Sequence, residues 1–327
     1  MSTSVAGSAR RWTRFIPTVI GLILLIGAIY VVHREFRHLK WHDIKEALAT
    51  IPPWALFVSF VWTVLSYYIL TFYDRLGTIY AGNKIAYGKT CFASFCAYTL
   101  SHNLGLAAVS GAAVRYRLYS QWGMTNFQIG KLVAFCSFTF GFGGLTLGGG
   151  VLLALPGEQV PFFGPYVPQV VLWAVGVGMW LAVLAYVSLS RIVPPFRVLG
   201  HVVELPGWRM AVLQVFLATI DVAVTATIFH ALLPTDTNLN WVVFLAVYLA
   251  AYTGGLAANL PGGIGVFDTA MLVGLSPYVE APQIIAAIVV FRLYYYLLPL
   301  FIAGPLFSGM EILQRLRVLG RRIGRKE

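Results

Sequence analysis

Charged side chains are the first shortage. Asp, Glu, Lys and Arg make up 11% of the 327 residues, less than half of the roughly one quarter found in water-soluble domains. Hydrophobic residues make up 59%, and the mean hydropathy is +0.78. So few solvated groups exclude an ordinary soluble fold; most of this chain's solvent is lipid. Cysteine is nearly absent as well. Cys91, Cys96 and Cys136 lie inside apolar runs with no pair at metal-ligand spacing, so they predict small core residues and no disulfide framework. The 32 glycines and 16 prolines follow no short period, which excludes a collagen-like or disordered chain. His33 and His38 flank Glu35 without the His-Glu-x-x-His spacing that zinc requires. No metal and no cofactor is expected.

Intact catalytic motifs are missing too. Gly88-Lys89-Thr90 has the form of a Walker-motif end, but Gly82 stands one residue too far upstream. Tyr73-Asp74 with Gly265-Val266-Phe267-Asp268 lacks the Gly-x-Gly-Asp of intramembrane aspartyl proteases. Ser110-Gly111 with His102 has Ala108 where a membrane serine protease has glycine. The chain is not expected to be an enzyme.

What is present is a series of long apolar segments. About 20 such residues cross a bilayer as a helix, and residues 15–32, 54–73, 132–155, 167–189, 210–233 and 284–307 meet or nearly meet that length. The first follows Arg10, Arg11 and Arg14; it lacks a convincing cleavage site, so it is expected to be retained as a span and not removed as a signal peptide. Two further stretches are broken. Residues 91–114 are interrupted at Ser101-His102-Asn103-Leu104-Gly105, leaving half-helices of about 10 to 12 residues, too short to span alone. Residues 241–275 are interrupted at Asn259-Leu260-Pro261-Gly262-Gly263, where a missing N–H and two glycines permit a reversal. These are expected to be re-entrant helical hairpins, with His102, Asn103, Asn259, Pro261, Gly262, Gly263 and Gly265 at their turns.

The net charge of +11 belongs to the ends of the spans, not to a nucleic-acid surface. With the N-terminus inside and both broken stretches as hairpins, 18 of the 23 Lys and Arg residues are cytoplasmic, and the connections at 156–166, 234–240 and 276–283 contain none. The first outer connection is an exception, holding Arg34, Arg37, Lys40 and Lys45; there Trp41, Ile44, Leu48 and Ile51 recur at helical spacing and predict an amphipathic interfacial helix. The expected fold is an all-α polytopic membrane protein of six full transmembrane helices and two re-entrant hairpins. The halves, about 15–155 and 167–309, each read helix, helix, hairpin, helix; three crossings per half make the second copy an inverted repeat. A basic cytoplasmic tail (1–14) precedes this 15–309 domain and a basic amphipathic cytoplasmic tail (310–327) follows it.

Ionisable groups inside hydrocarbon are expensive and face a cavity or a partner. Asp74, Asp221, Asp268 and Arg292 lie in or beside the spans, and Arg115 and Arg117 close the first hairpin. Both signs of charge in one apolar body suit a lipid headgroup, guanidinium for phosphate and carboxylate for ammonium. Buried ion pairs or interface anchors are the structural alternative for the same residues. The N–H groups opening the helix at Gly263-Ile264-Gly265 offer an anion site, and Gly144 and Gly148 have the spacing of close helix packing.

The stretches Ser110-Gly111-Ala112-Ala113-Val114-Arg115-Tyr116-Arg117-Leu118-Tyr119-Ser120 and Asn259-Leu260-Pro261-Gly262-Gly263-Ile264-Gly265-Val266-Phe267-Asp268 resemble the transmembrane part of bacterial lysylphosphatidylglycerol synthase/flippases, the multiple peptide resistance factors. The resemblance covers most of residues 15–307. It implies a flippase-type domain without the C-terminal synthase, moving aminoacylated phosphatidylglycerol or a related lipid in a bacterial inner membrane and contributing to antimicrobial peptide resistance. Asp268 stands where many relatives are expected to have Glu. The expected partners are membrane phospholipids and a separate lipid-modifying enzyme, and a homo-oligomer is compatible with the chain. The competing reading is a non-transporting scaffold that recruits a lipid-synthesis or cell-envelope enzyme through its basic C-terminal tail.

Overall fold

A computed structural model describes residues 41–104, 107–198, 201–258 and 261–323. The expected first span, residues 15–32, lies outside the described residues, as do Gly105, Leu106, Asn259 and Leu260. The protein is a helical multi-pass membrane protein with five helices among the described residues long and apolar enough to cross a bilayer. Its described elements are α1 (Trp41–Thr50), α2 (Pro53–Tyr80), α3 (Tyr87–Leu104), α4 (Ala107–Gln121), α5 (Asn126–Ala154) and α6 (Gln169–Ile192). After them come α7 (Trp208–His230), α8 (Trp241–Ala257), α9 (Val266–Leu275), α10 (Ala281–Arg292), a π-helical turn (Leu293–Leu297) and α11 (Leu298–Ile323). A two-stranded hairpin, β1 (Phe196–Val198) with β2 (His201–Val203), joins α6 to α7 and was not anticipated.

Local chemistry sets several boundaries beyond the apolar runs. Helix α5 begins at Asn126, six residues before the apolar segment, because Thr125 Oγ1 accepts the Gln128 N–H while Gln128 Oε1 accepts that of Thr125. Asn240 Oδ1 caps α8 through the Val242 N–H at 2.8 Å. Helix α1 is the helix expected before the second span; its Leu48 is half-buried, and Ile51 just beyond it is buried. Helix α6 instead shows its neighbours little: Val170, Trp173, Leu181, Leu184 and Ile192 are all exposed. An apolar face of that extent marks a contact with lipid or with another protein surface.

Helices α2 and α7 pack antiparallel at the centre. Ser59 Oγ near the start of α2 donates to Ile228 O near the end of α7, and Tyr80 Oη at the end of α2 donates to Glu204 O ahead of α7. Helix α5 crosses α7 at Gly143, where a Cβ would stand 2.4 Å from Ala218 O, and meets α6 at Gly149 and Gly176. Gly148 meets only the flexible Met179 side chain, and Gly144 faces open space, so the close-packing face is turned by one residue from the expected Gly144/Gly148 pair.

Both broken stretches fold back on themselves, α3 against α4 and α8 against α9. Their open ends lie at opposite ends of the α2–α7 pair, and the end of α3 touches the Pro261–Gly263 turn. The first pair corrects the sequence reading. Its arms have 18 and 15 residues, about 27 and 22 Å, because the helices continue through Tyr87-Gly88-Lys89-Thr90 and through Arg115 to Gln121. His102 and Asn103 therefore sit in the last turn of α3, not in a loop. The second pair has arms of 17 and 10 residues. Its reversal uses Gly262, Gly263 and Gly265 at φ of 59°, 62° and 82°, the left-handed region where a side chain is strained.

Candidate functional site

The charged residues inside this bundle meet in pairs. Arg115 on α4 grips Asp74 on α2 with Nε to Oδ1 at 2.9 Å and Nη2 to Oδ2 at 2.7 Å, and Tyr119 Oη, one helical turn along, donates to Oδ1 at 3.0 Å. The Asp74 side chain is fully buried and Arg115 nearly so. Two parallel bonds and a third donor supply what water would otherwise give the ions. The guanidinium also lies 4.6 Å from the centre of the Tyr98 ring.

A second fork joins α9 to the end of α10. Arg292 Nη2 lies 2.8 Å from Asp268 Oδ1 and 2.9 Å from Oδ2, with Nε at 3.0 Å from Oδ1. Asp268 Oδ2 also accepts the Gly265 N–H at 2.9 Å. The helix N-terminus expected to hold a ligand anion is thus occupied by the protein's own carboxylate. Immediately after Arg292 the helix widens into the π turn, whose displaced carbonyls are taken up by side chains from elsewhere. Tyr67 Oη donates to Tyr295 O at 2.9 Å and Asn103 Nδ2 to Tyr296 O at 3.2 Å. His102 stacks on Tyr295, with ring centres 5.2 Å apart. The ends of both hairpins therefore meet the last spanning helix around one turn.

Asp221 is different. It is buried near the middle of α7, where it accepts hydrogen bonds from Tyr73 Oη at 3.1 Å and Ser66 Oγ at 3.3 Å, both on α2. Ser66 Oγ also lies 3.1 Å from Thr225 Oγ1. No ion pair involves Asp221 among the described residues.

Two adjoining cavities give these residues a context. A smaller chamber of about 240 Å³, mostly apolar in surface, brings together Arg115, Tyr98, Ser101, His102, Cys136 and Ser137 on its wall. Tyr98 Oη and His102 Nδ1, both buried atoms on its wall, have no hydrogen-bond partner among the described residues. Buried polar atoms are rarely left so. An apolar groove of about 790 Å³ runs alongside, between α5, α8 and the connection carrying Phe162, with Met179 and Leu249 on its walls. Phe140, Tyr252 and Leu256 belong to both cavities, and the first two rings are in contact at 5.8 Å.

Of the six charged residues singled out from sequence, Arg115 alone lines the chamber. Asp74 holds it from behind, Asp268 and Arg292 hold each other, and Asp221 lies within the α2–α7 interface. Arg117 is half-buried two residues beyond Arg115 and does not line the chamber. Of the hairpin residues, His102 lines the chamber, Asn103 caps the π turn, and Gly262 O is 3.5 Å from Arg292 Nη2. Sequence reasoning missed Tyr73, Tyr98, Ser101 and Tyr252. The polar residues Ser94, Tyr98, Ser101 and His102, recurring at helical spacing through an apolar run, were the available signal.

The sequence matches the family described as the lysylphosphatidylglycerol synthase TM region over residues 18–303. It is 31% identical to an uncharacterized protein of Synechocystis sp., over 92% of this chain and 93% of that one. It is 27% identical to the inner membrane protein YbhN of Escherichia coli, over 90% and 91% of the two chains. A phosphatidylglycerol lysyltransferase of Staphylococcus aureus is 24% identical over 87% of this chain, which spans only 33% of that longer protein.

Proposed function

Because the chain belongs to the lysylphosphatidylglycerol synthase TM region family, we propose that it is a phospholipid translocase of a bacterial inner membrane, acting on phosphatidylglycerol, its aminoacylated form or a related anionic-phosphate lipid. The observation that carries this reading is that the chamber bearing Arg115, Tyr98, Ser101 and His102 shares Phe140, Tyr252 and Leu256 with the apolar groove. A phospholipid has the same division, a charged headgroup joined to hydrocarbon. Moving the headgroup alone through lipid is prohibitive without substitute polar contacts. Here Arg115, Tyr98, Ser101 and His102 would receive the phosphate while the groove retains an acyl chain.

In this reading the carboxylates do not receive an amine. Asp74 orients Arg115, and Asp268 with Arg292 fixes the second hairpin to the last span. In the same reading the two hairpins are re-entrant, entering from opposite faces, and the halves form an inverted repeat. The similarity of YbhN, an inner membrane protein by name, supports the location. The similarity to phosphatidylglycerol lysyltransferases, confined to a third of their length, supports the lipid class.

The test is a dithionite-quench assay in vesicles of phosphatidylethanolamine and phosphatidylglycerol carrying fluorescent phosphatidylglycerol. The wild-type protein is expected to expose inner-leaflet probe, with the rate reduced at least tenfold in Arg115→Gln and reduced in His102→Ala. Probe movement no faster than in protein-free vesicles, or an Arg115→Gln variant as fast as wild type, overturns the assignment.

A further inference from the structure

Asp221 is the buried acid that the headgroup site leaves unexplained. Asp74 and Asp268 each have a guanidinium; among the described residues, Asp221 has only hydroxyls, from Tyr73 and Ser66. Those are half-measures for a full negative charge in a low-dielectric interior, where an ionised carboxylate without a counter-charge is strongly disfavoured. Such a group reaches neutrality by taking a proton or a small cation.

Its surroundings narrow the choice. The titratable groups around it among the described residues include the tyrosines Tyr67 and Tyr73 from α2, Tyr98 from α3, Tyr248 and Tyr252 from α8, and Tyr295 from the π turn. Arg115 and Arg292 are bound to other carboxylates. Hydroxyls that both give and receive hydrogen bonds suit a proton. A small cation would need several oxygens closing around it, and a sodium gradient at constant pH separates that case from a proton in the experiment below.

Location ties the acid to movement. Asp221 lies on α7 against α2, the central antiparallel pair and, in the inverted-repeat reading, counterparts in the two halves. Tyr73, which donates to it, meets Tyr98 edge to face with ring centres 6.0 Å apart, and Tyr98 lines the chamber with its hydroxyl unpartnered. Tyr252 stands between chamber and groove. Coupling-ion sites of membrane transporters occur at such repeat interfaces near mid-membrane.

We propose that Asp221 is a proton-binding site at the α2–α7 interface that couples lipid translocation to the transmembrane proton gradient. A proton arriving from one face of the membrane adds to an Asp221 carboxylate oxygen, taking the side chain from −1 to 0. Its departure toward the opposite face restores the charge, so one cycle moves one proton and consumes no other reactant. The coupling rests on the translocation reading; the proton site itself does not.

The experiment has two arms on the full chain in vesicles of phosphatidylethanolamine and phosphatidylglycerol. Infrared difference spectra between acid and alkaline buffer are expected to contain a protonated-carboxyl band that is lost in Asp221→Asn and returns, displaced, in Asp221→Glu. With fluorescent phosphatidylglycerol, an imposed pH gradient is expected to raise the wild-type rate, with that response lost in Asp221→Asn and partly regained in Asp221→Glu. The absence of the band from wild type, or its persistence in Asp221→Asn, overturns the proton site. Wild-type movement that ignores the pH gradient, or follows a sodium gradient at constant pH, overturns the coupling. A wild type that shows the band but moves no probe removes the translocation reading, and the coupling with it, while sustaining Asp221 as a proton site.

Discussion

Asp74 and Arg115 lie on different helices, 41 residues apart in sequence, and are joined by two nearly parallel bonds of 2.9 and 2.7 Å with the Asp74 side chain fully buried. The pair ties α2 to the second arm of the first hairpin and fixes one face of the chamber. Removing one partner leaves an uncompensated buried charge, so Asp74→Asn and Arg115→Gln are each expected to destabilise the protein by about 3–5 kcal/mol. The double variant is expected to lose much less than the sum. Thermal unfolding in detergent checks this; additive losses contradict it.

The second fork predicts a smaller effect. The Asp268 side chain is 27% exposed, whereas Asp74 is at 0%, and a solvated charge needs its partner less. Asp268→Asn is expected to lower the unfolding temperature by less than half as much as Asp74→Asn. Equal shifts contradict the exposure argument.

Neighbouring glycines separate packing from open space. A Cβ on Gly143 meets the Ala218 carbonyl at 2.4 Å, and one on Gly144 meets nothing within 4 Å. Gly143→Ala is expected to destabilise by about 1–3 kcal/mol through overpacking. Gly144→Ala, on the groove wall, is expected to unfold at or slightly above the wild-type temperature, since nothing opposes the added Cβ and helical Ala is intrinsically better than Gly by roughly 1 kcal/mol. Paired melting curves settle the order; a reversed order contradicts the α5–α7 contact.

Phe140 and Tyr252 form the partition between chamber and groove. Tyr252→Ala is expected to merge the two spaces and reduce discrimination between fluorescent phosphatidylglycerol and a bulkier aminoacylated analogue. Tyr252→Trp is expected to slow both probes. Unchanged rate ratios in both variants contradict the partition.

Much of this architecture was legible because lipid imposes simple demands. Each of the five described spans lies over an apolar run read from sequence, and the missing N–H of Pro261 with its glycines announced the second reversal. Boundaries failed where polar residues extend a helix by local bonding, as at Thr125 and Gln128. The break in the first hairpin was displaced because Asn103 bonds the backbone at Thr99 O and Tyr296 O, a contact 193 residues away. The π turn has no composition signal. For the charged residues, sequence gave identity and depth but not partners: which carboxylate meets which arginine depends on how α2, α4, α9 and α10 are packed. Arg115 thus emerged as the chamber's charge and Asp221 as the acid without a guanidinium.

The account turns on a lipid occupying both cavities at once, and density from the protein in phosphatidylglycerol nanodiscs tests that directly by cryo-electron microscopy. Phosphate within hydrogen-bond distance of Arg115 or His102, with an acyl chain passing Phe140 and Tyr252 into the groove beside Met179, is the predicted result. A chamber holding only water, with lipid confined to the outer faces of α2 and α6, would contradict it.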